Sequence, residues 1–436
     1  MATITVTTLA DSTATDGQVS LREAIQAANT NASVDGSVAG SGGTPDTIVF
    51  DPTVFTGGAT NLIRLTLGEI AISGAVTIDG STVGGVTITG DKDDDDVTLA
   101  GTDITDVAAS GAALLDDNSR IFNIAAVADT TLQSLTLTGG RTTASGGGGG
   151  GVLSQSALTL TNSTVSGNST TGFSAKGGGI AGDIVTLTDS TVSGNSTAGT
   201  FADGGGIMAS NTVTLTNSTV SGNATTGSQA FGGGILASTV ELTNSTVSGN
   251  STAGIFSTGG GIHAGTVELT NSTVSGNSTA GFAADGGGVF SLTAVTLTNA
   301  IVLGNNSAQT TSDEISGAIT ANGLNIVGTG ADTDASDHII NADPVLVFAQ
   351  TVANGATMAG VLASNGGPVP TIALKLDAAN PALDASNTSA PGTDARGLGY
   401  VDQPAITNAN GSPADLGAFE AGELPSLVVT TKDDVV

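Results

Sequence analysis

The sequence predicts an all-β protein, a single-stranded parallel β-helix of about 27 residues per coil with one capping helix near its start. Two observations carry that prediction. First, between Asn162 and Asn305 one phrase recurs six times, L-T-L-T-N-S-T-V-S-G-N followed by variable residues and G-G-G-I. The Asn of T-N-S-T falls at Asn162, Asn217, Asn244, Asn271 and Asn299, with Asp189 in the second place, in steps of 27, 28, 27, 27 and 28. The Asn of S-G-N keeps the beat at Asn168, Asn195, Asn223, Asn250, Asn277 and Asn305, as does the apolar residue closing each glycine run, from Val152 to Val289. A unit this short cannot bury its own apolar face and must stack on its copies. Second, stretches such as Val213-Thr214-Leu215-Thr216 alternate with the period of a strand.

Each coil is expected to hold three strands: one with Val and Leu inward, one beginning near the Val of T-V-S, and one through G-G-G-I. Stacked at about 4.8 Å per coil, both Asn rows become ladders in which each amide bonds to its copies. The N-S-T triplets also match a glycosylation sequon. A ladder accounts for two Asn per coil.

The 65 Gly suit turns, and the absence of Cys leaves stacking, hydrogen-bond ladders and ions to hold the chain. A net charge of −30 repels nucleic acid and anionic lipid. No stretch is long enough to span a membrane, and the first residues lack the regions of a signal peptide. Export without an N-terminal signal peptide is therefore expected.

In chain order, residues 1–55 read as a cap. Residues 2–8 read as a strand, and Ser20 with Glu23 forms a capping box before a helix at 20–29 whose stripe is Leu21, Ala24, Ile25 and Ala28. Such a helix would cover the solenoid's open end. Arg22 and Glu23 are expected on its surface, not as a catalytic pair. Residues 56–345 read as the β-helix, most regular over 149–310. Within them Asp91, Asp93 and Asp95 alternate as oxygen ligands of a Ca²⁺ loop do, although Asp96 stands where such a loop places glycine. A Ca²⁺ site and a solvated acidic loop are the two readings. Residues 346–422 read as an irregular closing segment. Residues 423–436 read as the start of a further module or a docking strand, because Val429-Thr430-Thr431 echoes Val6-Thr7-Thr8.

The terminal segments carry a resemblance. V-T-T-L-A-D, S-L-R-E-A-I-Q-A-A-N and D-T-I-V-F-D resemble the CSLREA-type segment of bacterial secreted and surface β-helix proteins, with Val19 in place of its Cys. The repeats are similar to those of polymorphic outer-membrane proteins. Ser364 to Pro368, Asn380 to Asp384, Asp394 to Gly397 and Asp415 to Glu420 resemble a choice-of-anchor segment. The resemblance implies a right-handed helix and an extracellular setting, and brings no catalytic residues.

The chemistry of the repeats is sparse. Lys176 is the lone basic residue from Gly149 to Thr310, where a uronate lyase needs cations. Glu241 and Glu268 share a position one coil apart, a spacing a glycosidase could use. They interrupt the row of Thr186, Thr214 and Thr296, and solvated carboxylates are the expected reading. His263 and His338 are isolated. Phe173, Phe201, Phe256 and Phe282 are expected to pack over turns, and outward Thr pairs such as Thr159 with Thr161 form an array like those of ice-binding solenoids. The expectation is a non-catalytic structural or adhesive module of a bacterial extracellular or cell-surface protein. Its partners would be further copies or modules end to end, assembling into filaments, and cell-surface polysaccharide. The alternatives are a polysaccharide-binding or polysaccharide-degrading protein and an ice- or surface-binding solenoid.

Overall fold

The computed structural model describes residues 1–92, 118–307, 314–328, 338–387, 390–400, 402 and 412–422, with the backbone of an antiparallel hairpin at 96–99 and 103–106. Asp93, Asp95 and the terminal segment 423–436 lie outside the described residues.

The alternating Val and Leu of the repeat turn inward and stack in register. Val185, Leu187, Val192, Val213, Leu215 and Val220 are all fully buried. Each pairs with its copy one coil away, Val185 with Val213 and Leu187 with Leu215. Three parallel sheets result, of 14, 11 and 7 strands.

The G-G-G-I run does not open a third sheet: it flows into the Val-Thr-Leu-Thr strand as one extended segment, Ile180–Thr188 or Ile207–Thr216, with a register shift in mid-strand. The third sheet is instead the Ser-Thr pair after each S-G-N, such as Ser196–Thr197 on Ser169–Thr170. The glycines serve close stacking. At Gly178 a Cβ would sit 2.3 Å from the Gly205 carbonyl oxygen and 2.4 Å from that of Ser196, so a side chain there would push the coils apart.

At the start, strand β1 (Thr3–Val6) pairs on one side with β2 (Asp46–Phe50) and is the edge of the largest sheet. Helix α1 (Leu21–Thr30) lies against both, with Leu21, Ala24 and Ile25 in the core. Its capping box is complete: the Ser20 hydroxyl accepts from the Glu23 amide, and the Glu23 carboxylate accepts from the Ser20 amide. Arg22 reaches Asp11 at 2.7 Å and donates to the Gly68 and Glu69 carbonyls. Both members of the Arg22–Glu23 pair thus hold the cap together, and Glu23 is buried in the capping box, not on the helix surface as expected.

The segment after 345 runs back along the flank of the rod, over the T-V-S sheet. Thr219 donates to the Pro370 carbonyl, Asn244 to that of Thr393, and Ala418 N–H to the Thr273 hydroxyl. Thr219, Thr246 and Thr273 are buried beneath it, whereas Thr164 and Thr191, earlier in the same row, are half exposed. A second apolar core joins Ile301, Leu303 and Ile326 of the last coils to Phe348, Ile372 and Leu416. Among the described residues no helix is long and apolar enough to cross a membrane.

Candidate functional site

The most ordered polar feature is the S-G-N row. Asn168, Asn195, Asn223, Asn250, Asn277 and Asn305 are buried at the turn between the second and third sheets. Each Nδ2 donates to the Oδ1 of the next coil, at 3.0 Å from Asn168 to Asn195 and 2.9 Å at the four later steps. The second hydrogen goes to a carbonyl of the preceding coil, as from Asn223 to Val192 at 3.0 Å. Each Oδ1 also accepts the backbone N–H of the preceding Asn, as Asn223 does from Asn195 at 2.9 Å. All four hydrogen-bonding demands of the amide are met, as burial requires.

The ladder begins at the Gly140 N–H, which donates to Asn168, and ends on a buried carboxylate. Glu314 accepts from Gly304 N–H at 2.8 Å, Asn305 N–H at 3.1 Å and Asn305 Nδ2 at 2.7 Å. Every amide points the same way, so their dipoles sum as peptide dipoles do in a helix, with the positive end at Asn305. Glu314 sets a negative charge there. Nothing in the repeat announces Glu314, because it lies where the period decays.

The T-N-S row is different in kind. Asn162, Asp189, Asn217, Asn244, Asn271 and Asn299 all sit in the left-handed region, φ 44° to 54°, a conformation Asn tolerates better than most residues. Their side-chain bonds run towards earlier coils, as Asn217 to Asp189 at 3.2 Å and Asn299 to Asn271 at 3.1 Å. The serine that follows each of these residues carries a ladder of its own, which its turn-like setting in the sequence does not announce. The hydroxyls of Ser190, Ser218, Ser245 and Ser272 accept the backbone N–H of the preceding Ser at 3.0 to 3.2 Å, a second ladder beside the first. Burial of the S-G-N asparagines leaves their N-S-T triplets closed to a glycosylating enzyme.

Glu241 and Glu268 face each other in register on adjacent strands, exposed, between Thr214 and Thr296. The neighbouring outward row, Thr161, Thr188, Thr216, Thr243, Thr270 and Thr298, is an unbroken file of threonines. Asp91 lies 3.5 Å from the Arg64 guanidinium, so a cation there would compete with an ion pair. His263 is stacked between Phe231 and Phe290, each 4.8 Å away, and its Nδ1 meets the Thr258 hydroxyl at 2.8 Å. Burial lowers its pKa to about 4, so the ring is a neutral packing element. His338 is exposed at the end of the rod.

The flank segment encloses a charged cluster. Asp394 binds Arg396 at 2.6 Å, Glu420 accepts from the Asp415 amide, and Asp415 accepts from the Asp384 and Ala421 amides. Burial foremost, with the Asp384 charge, pushes the Asp415 carboxyl up to about 7. Arg396 lies 4.0 Å over the Phe419 ring. These residues belong to the resemblance motifs read in the sequence, and what they do is fasten the cover: Gly417 N–H donates to the Asn299 carbonyl, and Ala418 N–H to Thr273. A cleft of about 630 Å³ lies beside the cover, lined by residues such as Asp343, Gly355 and Met358, and one of about 310 Å³ lies beneath α1 near Asn29 and Asp46. Neither includes Glu241 or Glu268. Among the described residues no three His, Asp or Glu side chains are placed to hold a metal ion.

A family model described as a right-handed β-helix region matches residues 73–233 and 121–338, together more than half of the 436 residues. Comparison with curated protein sequences gives no match. Among solved structures the chain is similar to one described as pectate lyase Pel9A, at 13% identity over 97% of each chain, with a TM-score of 0.41; a likeness that distant transfers no activity.

Proposed function

The chain belongs to the right-handed β-helix family, and from that premise we propose that it is a non-catalytic structural and adhesive rod of a bacterial extracellular or cell-surface protein. The observation that carries the reading is the ladder running without a break from Gly140 to Glu314. It ties successive coils through their interior, which resists axial bending and pulling. Roughly ten coils at about 4.8 Å give a rod near 50 Å long. The free edge of β1 offers backbone groups to a strand of a further copy or module, which would extend the rod by β-augmentation. The echoing segment 427–431 is the proposed donor. The file of threonines offers a repeated face to cell-surface polysaccharide or to ice.

A second reading rests on Glu241 and Glu268, whose strand spacing of about 5 Å suits a retaining glycosidase. Incubating the chain with a panel of neutral and acidic polysaccharides, and measuring new reducing ends and unsaturated products, separates the two. The rod reading expects no product. Product that disappears in Glu241→Gln would establish the enzyme instead. A Ca²⁺ role for Asp91, Asp93 and Asp95 stays a proposal, read by calcium titration of the wild-type chain and of Asp93→Asn.

A further inference from the structure

The loops that precede each glycine run stack as rigidly as the sheets. Backbone N–H groups of Ser174, Phe201, Gln229 and Phe256 donate to the carbonyls of Thr200, Ser228, Ile255 and Phe282 in the next coil, at 2.9 to 3.0 Å. Their tips form a ridge of two files along the rod. One file reads Phe173, Thr200, Ser228, Ile255, Phe282; the other reads Ser174, Phe201, Gln229, Phe256, Ala283. Four phenylalanines and Ile255 are exposed there by 42% to 73%. Phe201 and Phe256 hold left-handed backbone, φ 59° and 58°, a costly conformation for a bulky residue.

Both files read nearly the same from either end, with Ser228 and Gln229 at the centre. The rings follow the same symmetry. Phe173 and Phe201 meet edge to face at 5.6 Å and 79°, and Phe256 and Phe282 at 6.1 Å and 80°. A two-fold axis lying across the ridge at the level of Gln229 would set Phe173 against Phe282 of a second copy, Phe201 against Phe256, and Gln229 against Gln229.

We propose that this ridge is a self-complementary surface through which two copies of the chain pair side by side and antiparallel. A two-fold interface is isologous, each residue meeting its counterpart twice. Fully buried phenylalanines cover about 150–250 Å² each. At the exposures seen, the ridge gives about 500 Å² per copy, or about 1,000 Å² in all, where specific interfaces begin. The stacked loops are already ordered, so little entropy is lost on pairing. The net charge of −30 opposes the approach, so pairing strengthens with salt. This lateral contact is independent of the end-to-end contact proposed above.

The test is sedimentation velocity of the full chain over the micromolar to millimolar range, at about 0.05 and 0.5 M salt, beside the double variant Phe201→Asn/Phe256→Asn. Asn accepts left-handed backbone, so the variant keeps the fold, which circular dichroism verifies. The wild type is expected to form a dimer favoured by salt, and the variant to bind at least tenfold more weakly. Direction is read with Phe173→Cys/Phe282→Cys in this cysteine-free chain. The two positions are four coils apart, so a disulfide between them must join two molecules. Covalent dimers are expected from the double variant and not from either single one. A monomeric wild type at both salts overturns the proposal, as do crosslinks from a single variant, which would mean parallel pairing. Retention of the monomer on a neutral polysaccharide through the same phenylalanines would also overturn it, assigning the ridge to a glycan.

Discussion

Replacing Asn223 by Ala removes four hydrogen bonds at once. Its Oδ1 accepts from the Asn195 N–H and the Asn195 Nδ2, each at 2.9 Å, and its Nδ2 donates to the Val192 carbonyl at 3.0 Å and to Asn250 at 2.9 Å. The four partners do not suffer equally. Asn195 Nδ2 keeps the Val165 and Ser193 carbonyls, and Asn250 Oδ1 keeps the backbone N–H of residue 223. The Asn195 N–H is stranded in a fully buried site, at a cost of about 1–3 kcal/mol, and the other losses add about 1 kcal/mol each where they are not replaced. The expected destabilisation is about 3–5 kcal/mol, a large share of the stability of an ordinary domain. Urea unfolding followed by circular dichroism measures it, and hydrogen exchange at the Asn195 amide locates it. Asn217→Gly is the control. Glycine takes φ 48° freely, so what is lost is the bond to Asp189 and the one accepted from Asn244, whose Nδ2 keeps the Thr393 carbonyl, and a cost of about 1–2 kcal/mol is expected. If Asn223→Ala costs no more than Asn217→Gly and leaves the Asn195 amide as protected as before, the ladder is not what holds the coils together.

Glu314→Gln turns an acceptor of three N–H groups into a side chain with one oxygen and an opposing NH₂, and removes the charge at the ladder's positive end. A loss of about 2–4 kcal/mol is expected in thermal or urea unfolding. His263→Phe keeps the ring between Phe231 and Phe290. The wild-type ring is protonated below about 4 in the fold and below 6.5 when unfolded, so the unfolded state binds more protons between those values and stability rises with pH there. The variant should lose that slope, worth at most about 3 kcal/mol, in urea midpoints taken from pH 4 to 7. Glu268→Gln removes a like charge set directly across from Glu241 and should stabilise by about 0.2–1 kcal/mol at low salt, with the gain vanishing at high salt.

The repeat made most of the architecture legible. A period of 27 or 28 residues with alternating Val and Leu admits a stacked coil and little else, and the Asn of S-G-N stood out because an amide can satisfy its own copy. The limits have physical causes. Glycine runs carry no side-chain periodicity, so the sequence could not show that G-G-G-I continues into Val-Thr-Leu-Thr, or that a Ser-Thr pair supplies the third sheet. The same Asn letter hid two uses, a buried ladder at Asn223 and a left-handed corner at Asn217. Serine in N-S-T reads as turn chemistry, and only the stacked backbone shows that its hydroxyl accepts from the coil before. The cover on the T-V-S sheet rests on contacts such as Thr273 with Ala418, 145 residues apart, which no local pattern encodes. The ridge phenylalanines were expected to pack over turns; two pairs do meet edge to face, yet all four stand in solvent.

Electron microscopy of the purified chain at high concentration reads the rod and its assembly together. A structural rod predicts stiff particles about 50 Å long with an axial spacing of about 4.8 Å, joined end to end into filaments that are lost when residues 424–436 are deleted. Isolated particles of unchanged size with and without those residues would contradict end-to-end assembly and leave the rod without its proposed role.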